Sequence, residues 1–189
     1  MKGSSTIQPE RLVHYKNPER GQIRFLVERN DIEDDIIGNS EKWDYCYVEV
    51  NGFDRQSIIS AIVRDLYSAE SIEDLFTSYT RGENIVNYMR YQNYRALAEA
   101  VADGAFFKSE LTGIMSRQVF EISMPFDTTL TGGDYEALAD YALKAKLYTK
   151  SDPVNNKAIV YCSYVLPQHL AILETDPRVE IHTHKGLIL

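Results

Sequence analysis

The chain has 189 residues, the length of one domain or of two small ones, which is enough to bury a hydrophobic core without metals or disulfides. Hydrophobic residues make up 44% and charged residues 25% of the chain, with 10 glycines and 6 prolines, and this composition excludes collagen-like, low-complexity and wholly disordered proteins. The formal net charge of −8 repels phosphate backbones, so nucleic acid is not an expected partner.

Hydropathy gives no sign of a membrane protein. No apolar run approaches the roughly 18 residues that cross a bilayer, and the polar first residues lack the apolar stretch of a secretion signal. We therefore expect no membrane partner, and synthesis in the cytoplasm. Cys46 and Cys162 lie far apart in apolar runs, which indicates buried thiols, and the sequence predicts no cofactor.

The N-terminal part of the chain predicts an arm followed by a β-hairpin. Residues 1–19 are polar and lack periodicity, so we expect a flexible arm that becomes ordered only against a partner. Two later segments alternate apolar and polar side chains, which is typical of half-buried strands. The apolar positions are Ile23, Phe25 and Val27 in the first segment and Cys46, Val48 and Val50 in the second.

The middle of the chain predicts three helices. Asp54 is a good N-cap for the first helix, and Ser68 or Ser71 begins the second. The second helix has Phe76 among its apolar positions, and Gly82 separates it from the third. The longest helical pattern covers residues 83–103 and stops at Gly104, where a left-handed cap is favoured. The face of the first helix that we expect to be buried consists of Ile58, Ile62 and Leu66.

The C-terminal part predicts a strand, a helix and a strand, followed by a short helix and a last strand. Phe120, Ile122 and Met124 alternate with polar residues in the first strand. A helix follows the N-cap Asp134, and residues 158–165 are apolar on both faces, as in a central strand. The short helix begins at Pro167, and the last strand covers residues 178–184.

Together these elements predict an α+β fold. Its N-terminal β-hairpin and central three-helix segment occupy residues 20–113, after the arm at 1–19. The C-terminal α/β unit occupies residues 117–189. One continuous domain and two separate domains both agree with this pattern.

A stripe of tyrosines is the strongest candidate for an interaction surface. Steps of three residues place Tyr88, Tyr91 and Tyr94 on consecutive turns of the third helix, with Arg95 beside them. Tyrosine and arginine are enriched at protein interfaces. Internal packing and stacking on single-stranded bases are the alternatives, and the acidity of the chain disfavours the latter. We expect the exposed part of the stripe to bind other protein subunits, with identical copies as one alternative.

The last strand has a spacing that suits a metal site. Glu180, His182 and His184 alternate along the strand and so lie on one side of it, where imidazoles can share a metal ion. The same side is expected to face solvent, where polar residues are common whatever their role. A small metal-assisted enzyme that uses these three residues is therefore the alternative function.

Other patterns have simpler explanations. The carboxylates at 31–35 lack the spacing and the central glycine of a calcium loop, and Asp134 at the end of residues 131–134 would occupy the amides that a phosphate needs. No nucleophile elbow, Walker loop or zinc-protease motif occurs. The sequence therefore predicts no catalytic residue outside the metal alternative.

Four short segments carry a resemblance to a family of phage proteins. They are Val50–Arg55, Ile58–Ser68, Tyr91–Arg95 and Ala102–Gly104. Over residues 45–104 the chain resembles small proteins encoded among the structural genes of tailed phages and prophages of Bacteroides-like gut bacteria. The resemblance implies a virion- or tail-associated component, or an accessory protein of assembly, that is made in the host cytoplasm and works through protein contacts. It implies no catalytic residue.

Overall fold

The structure is a computed structural model that describes residues 1–31, 40–125, 148–163 and 165–188. The helix predicted to begin at Asp134 and the segment 131–134 lie outside these residues, as does most of the acidic run after Asp31. The described residues form antiparallel sheets and helices, which confirms the predicted α+β class. Among the helices in these ranges, none is both long and apolar enough to cross a membrane.

Along the described parts of the chain, four strands precede the central helices and four strands follow them. The strands are β1 (Lys2–Ser5), β2 (Leu12–His14), β3 (Arg20–Arg29), β4 (Trp43–Asn51), β5 (Gln118–Pro125), β6 (Tyr148–Asp152), β7 (Lys157–Cys162) and β8 (Glu180–Lys185). The helices are α1 (Arg55–Leu66), α2 (Ala69–Thr80), α3 (Ile85–Ala102), α4 (Thr112–Met115) and α5 (Pro167–Leu173), with a 3₁₀ turn at Lys108–Leu111.

The chain divides into two compact units. Unit 1 consists of Met1–Ile72 and Tyr94–Met115, and unit 2 consists of Glu73–Asn93 and Ser116–Leu189. The sequence-based division kept all the central helices with the N-terminal strands. The structure differs, because it groups residues 73–93 with the C-terminal strands.

Unit 1 contains a four-stranded antiparallel sheet in the order β1-β4-β3-β2. The predicted hairpin supplies its two central strands, β3 and β4. The prediction of a flexible arm at 1–19 is corrected, because β1 pairs with β4 and β2 pairs with β3 at the sheet edges. Edge pairing is made by backbone hydrogen bonds and needs few apolar side chains, which is why the composition of the arm did not indicate it.

A β-bulge interrupts β3 and changes which of its residues are buried. The register shifts between Phe25 and Glu28, and Leu26 has a positive φ of 54°. An extra residue at a bulge bends the strand and disturbs its alternation. Phe25, Leu26 and Val27 are therefore all buried, and the Val27 N–H donates to the Phe106 carbonyl at 3.0 Å.

Helix α1 begins as predicted but buries less than predicted. The Asp54 side chain accepts hydrogen bonds from the N–H groups of Gln56 and Ser57, which confirms it as the N-cap. Ile58 and Ile62 are buried, whereas Leu66 is 50% exposed, so its predicted burial was wrong. Leu66 occupies the angular position of the buried face but lies in the last turn, where the helix ends.

Unit 2 contains the second antiparallel sheet, in the order β6-β7-β5-β8. Its core is formed by one face of β5 and β7 with residues of α5 and the segments beside it. The buried members are Ile122, Met124, Val160, Cys162, Val165 and Leu173. The predicted alternation of β5 is confirmed at Ile122 and Met124. This core fixes the opposite face of β5, β7 and β8 as the one that carries their polar side chains.

Two glycines end the long helices. Gly82 has a φ of +74° after α2, and hydrogen bonds join the Gly82 N–H to the Tyr79 carbonyl and the Glu83 N–H to the Ser78 carbonyl. This pattern is a Schellman motif, in which the glycine takes the left-handed position. Gly104 has a φ of +122° after α3, which agrees with the predicted cap there.

Candidate interaction surfaces

The predicted tyrosine stripe is not one exposed surface. Tyr91 is 9% exposed and Tyr94 is 3% exposed, so both rings are buried. Burial raises the pKa of Tyr94, whose ring lies 5.9 Å from that of Tyr67. Arg95 is exposed and forms an ion pair with Glu99 on the next turn of α3, at 3.2 Å. Of the three tyrosines, only the half-buried Tyr88 offers a partly exposed ring.

Tyr88 belongs to a cluster of aromatic rings between α2 and α3 within unit 2. Its ring stacks on that of Tyr79 with centroids 4.0 Å apart and an interplanar angle of 21°. The Phe76 ring lies 6.5 Å and the Tyr91 ring 6.2 Å from the Tyr88 ring. Phe76 is 56% exposed, which makes it the most exposed ring of the cluster. We call Phe76, Tyr79 and Tyr88 the aromatic surface.

The turn between α2 and α3 positions the aromatic surface. The Schellman motif at Gly82 ends α2, and Asn84, with a φ of 51°, begins the return into α3. Tyr79 in the last turn of α2 thereby meets Tyr88 in the first turns of α3. The sequence predicted both helices and the break at Gly82. Helical periodicity placed Phe76 among the apolar positions of α2 and gave no signal that it is exposed.

An acidic side chain lies beside the exposed ring of Phe76. Glu73 precedes Phe76 by three residues on α2, so the two side chains are neighbours on the helix surface. The Glu73 side chain is exposed and forms no ion pair with another described residue. The aromatic surface therefore has an acidic rim, formed by Glu73, whose charge is not neutralised by the described part of the chain.

The three residues of the metal alternative lie on β8, an edge strand of the second sheet. Lys157 binds the Glu180 carboxylate at 2.8 Å and thereby lowers the pKa of Glu180. The Nε2 atom of His184 lies 3.3 Å from an oxygen of Glu121. Among the described residues, no group of three or more His, Cys, Asp or Glu side chains could hold a metal ion. The structure thus brings Glu180 and the histidines together on one strand but not around a common point.

Glu121 on β5 links its strand to both neighbouring strands, β7 and β8, on this face of the sheet. Its carboxylate lies between the Tyr161 hydroxyl on β7, at 3.4 Å, and His184 on β8, at 3.3 Å. Its Cα position is opposite both Tyr161 and His182 in the strand register. Cross-strand polar contacts of this kind stabilise neighbouring strands. The contact with Glu121 explains the position of the His184 side chain without a bound metal ion.

The two cysteines differ in their surroundings. Cys162 is buried in the core of unit 2, as predicted. Cys46 on β4 is only partly buried, and desolvation raises the pKa of its thiol. Neither thiol lies in a described group of metal ligands.

Comparisons with known proteins give no relative from which a role for these surfaces could be transferred. No protein-family model, no curated protein and no solved structure matches the chain. The candidate surfaces therefore have to be judged by their own geometry and charge.

Proposed function

We propose that the chain is a non-enzymatic protein-interaction subunit that works in a phage-type virion or tail assembly, of the kind that the resemblance at residues 45–104 implies. The observation that carries the interaction role is the aromatic surface of Phe76, Tyr79 and Tyr88 in unit 2. The virion or tail context rests on the resemblance alone. On this proposal the protein is made in the host cytoplasm and reaches the virion by binding its neighbours.

The exposure of Phe76 supports a docking role. Burying an apolar side chain of this size is favourable by about 1.5–3 kcal/mol, and a ring that is 56% exposed forgoes much of this in the isolated chain. A partner that covers the ring recovers it. The stack of Tyr79 on Tyr88 holds the neighbouring rings in place before binding, so little side-chain entropy is lost when a partner docks.

The acidic rim indicates the chemistry of the partner. Glu73 borders Phe76 and has no ion-pair partner among the described residues. A partner surface with an apolar centre and Lys or Arg at its border would complement this arrangement. Two copies of the chain cannot pair through the same surface without opposing their acidic rims. An identical copy could serve as the partner only through a different, basic surface, in a head-to-tail contact.

Photo-crosslinking at position 76 tests this proposal. Benzoylphenylalanine replaces Phe76 in the full chain, in the cells that produce it, and adducts are identified by mass spectrometry. The matched control carries the same group in place of Leu66, which is exposed to a similar extent but lies in unit 1. We expect a defined adduct from position 76, with the linked residue of the partner close to Lys or Arg.

A charge reversal makes the test specific. Glu73→Lys should reduce the adduct at position 76 several-fold, because it places a cation on the rim that faces the basic residues of the partner. The substitution changes one exposed side chain, so the helical content and thermal midpoint should be unchanged. Identical adducts from positions 66 and 76, or an adduct that Glu73→Lys leaves unchanged, would contradict the proposal.

A further inference from the structure

One face of the first sheet, in unit 1, carries a row of aromatic side chains. Successive residues of a strand point to opposite faces of its sheet. Val48 and Val50 of β4 are buried on the face that packs against α1, so the odd-numbered residues of β4 lie on the other face. We call this second face the outer face. Along β4 it carries half-buried or exposed side chains, namely Trp43, Tyr45, Tyr47, Glu49 and Asn51.

The ring of Tyr45 lies flat on the sheet. Gly3 of β1 is opposite Tyr45 in the strand register. A Cβ atom at Gly3 would lie 2.8 Å from both Cε2 and Cζ of the Tyr45 ring and 3.0 Å from its hydroxyl oxygen. Nearly equal distances to these neighbouring atoms place this position above the plane of the ring and not at its edge. The absence of a side chain at Gly3 therefore lets the ring rest face-on against the backbone.

Two arginines of β3 pack against the aromatic row. The guanidinium carbon of Arg24 lies 5.0 Å from the centroid of the Tyr45 ring, and that of Arg29 lies 6.0 Å from the centroid of the Trp43 ring. Two carboxylates pair with Arg29, whereas Arg24 forms no ion pair with another described residue. The buried Nε of Arg24 and Nε1 of Trp43 have no acceptor among the described residues. Buried donors of this kind are rare, so the outer face has hydrogen-bonding capacity that the described residues leave unused.

A donor and an acceptor flank the ring of Tyr47. Arg24 is directly opposite Tyr47 in the register, and Glu49 is the next residue of β4 on the same face. The Tyr15 hydroxyl, at 2.6 Å, and the Gln22 amide, at 3.0 Å, both donate to Oε1 of Glu49. These bonds, above all the one from Tyr15, lower the pKa of Glu49, which therefore stays ionised at neutral pH. Its Oε2 atom accepts no hydrogen bond from another described residue.

We propose that the outer face binds a neutral saccharide, as a short extended chain of sugar rings. A sugar ring has C–H groups on its flat sides and hydroxyl groups around its rim. The flat sides suit the rings of Tyr45 and Tyr47, whose centroids are 6.2 Å apart with an interplanar angle of 54°. Hydroxyl groups both donate and accept, so one can donate to Glu49 while another accepts from Arg24. No charge on the ligand is needed.

Charge and exposure disfavour other occupants of such a face. Aromatic rings with arginine also suit single-stranded bases, but the ionised Glu49 and the net charge of −8 oppose a chain of phosphates. A folded protein partner gains most from an apolar anchor that it can enclose. Trp43, Tyr45 and Tyr47 are half-buried, unlike the exposed Phe76. The outer face lies in unit 1 and shares no residue with the aromatic surface, so this proposal stands independently of the function proposed above.

Tryptophan fluorescence of the full chain tests this site, because Trp43 is the only tryptophan in the sequence. The probes are cellohexaose and chitohexaose, two neutral and extended oligosaccharides, each titrated to about 5 mM, which covers dissociation constants in the millimolar range. We expect at least one of them to shift the emission to shorter wavelength and to saturate, since a sugar on the row excludes water from the ring. Oligothymidylate under the same conditions should give no saturable change.

Two substitutions locate the response on the outer face. Tyr47→Ala removes a stacking ring and should weaken sugar binding at least about tenfold. Gly3→Ala keeps every contacting group but displaces the Tyr45 ring, so it should weaken binding several-fold. The atoms that meet the new Cβ belong to the far end of one flexible side chain, so Gly3→Ala should leave the unfolding midpoint nearly unchanged. Leu66→Ala, on α1 and outside the outer face, should bind the sugar as the parent does.

The outcomes separate this site from the alternatives. The absence of a saturable emission change with both sugars would overturn the proposal, and so would sugar binding at parental strength by both Tyr47→Ala and Gly3→Ala. Saturation by oligothymidylate alone would assign the face to single-stranded nucleic acid instead. If Tyr47→Ala lowers the unfolding midpoint, Gly3→Ala decides the outcome by itself, because it retains all the aromatic rings.

Discussion

The rings of Tyr79 and Tyr88 stack face to face, 4.0 Å apart, and so join the end of α2 to the beginning of α3. The Schellman motif at Gly82 makes this contact possible, because it turns the chain within a few residues of Tyr79. A stacked pair that rests on a fixed turn is a rigid element. Phe76 lies beside this pair and is held at the surface by it.

Tyr88 and Phe76 should differ in how much they contribute to stability. Tyr88→Ala removes a half-buried ring that contacts three other rings, so it should lower the free energy of unfolding by about 0.5–1.5 kcal/mol beyond the loss from buried area. Phe76→Ala removes an exposed ring and should cost much less. Urea unfolding of both variants checks this. Equal losses would mean that Phe76 supports the fold as much as Tyr88 does.

Helix α1 offers a matched pair of aliphatic residues. Ile62 is fully buried and Leu66 is half exposed. Ile62→Ala should therefore cost about 2–5 kcal/mol, through lost burial and an unfilled cavity. Leu66→Ala should stay within about 0.5 kcal/mol of the parent. Denaturation midpoints with unchanged slopes measure both, and a large loss at Leu66 would show that its side chain is covered in solution.

Gly186 should not tolerate a side chain. A Cβ atom there would lie 2.4 Å from the Arg117 carbonyl oxygen and 2.8 Å from the Asn93 side-chain nitrogen. The backbone would have to move to relieve this contact. That movement would disturb the hydrogen bond that the Gly186 N–H donates to the same carbonyl. We expect Gly186→Ala to lower the thermal midpoint, at a cost of about 1–3 kcal/mol.

The control for Gly186 is Gly113, in the short helix α4. A Cβ atom at Gly113 would meet nothing within 4 Å. Gly113→Ala should therefore be neutral, or stabilising by up to about 1 kcal/mol, because alanine has less backbone freedom to lose. A Gly186→Ala variant as stable as Gly113→Ala would contradict the tight approach at Gly186.

The N-cap of α1 should make stability depend on pH. Hydrogen bonds from the Ser57 hydroxyl and backbone amides hold the pKa of Asp54 below its usual value. A carboxylate with a depressed pKa stabilises the fold above its unfolded pKa of about 3.9, and this contribution is lost as the pH falls through the folded pKa. Asp54→Asn keeps a capping oxygen but does not titrate. The stability difference between the parent and this variant should shrink below about pH 4.

Unfolding midpoints of the two proteins between neutral and acidic pH measure this effect. Asp74→Asn is a suitable control, because the exposed Asp74 carboxylate caps no helix and forms no hydrogen bond with another described residue. Its difference from the parent should vary less with pH. A constant difference between the parent and Asp54→Asn across the acid range would mean that the cap charge contributes nothing.

Features with a local cause could be predicted from the sequence. The cap at Asp54, the break at Gly82 and the cap at Gly104 each depend on a few neighbouring residues. The alternation of β5 was also readable, because one face packs on a core. The bulge at Leu26 was not, since a positive φ at leucine has no sequence signature.

Features that depend on distant pairing could not be predicted. Strand β1 consists of polar residues and forms by bonding to β4, some 40 residues away. The burial of Tyr91 and Tyr94 depends on what packs over α3, which helical spacing does not reveal.

The division into units makes the chain interleaved, because it passes between them within α2, within α3 and again after Met115. No single cut can therefore separate the two units from each other. A fragment that begins at Ser116 would keep all of the second sheet but would lose the hydrogen bonds that Arg90 and Asn93 donate to the carbonyls of Lys185 and Gly186. Recombination at one crossover would likewise divide at least one of the two units, so neither unit can be exchanged between genes by itself in this way.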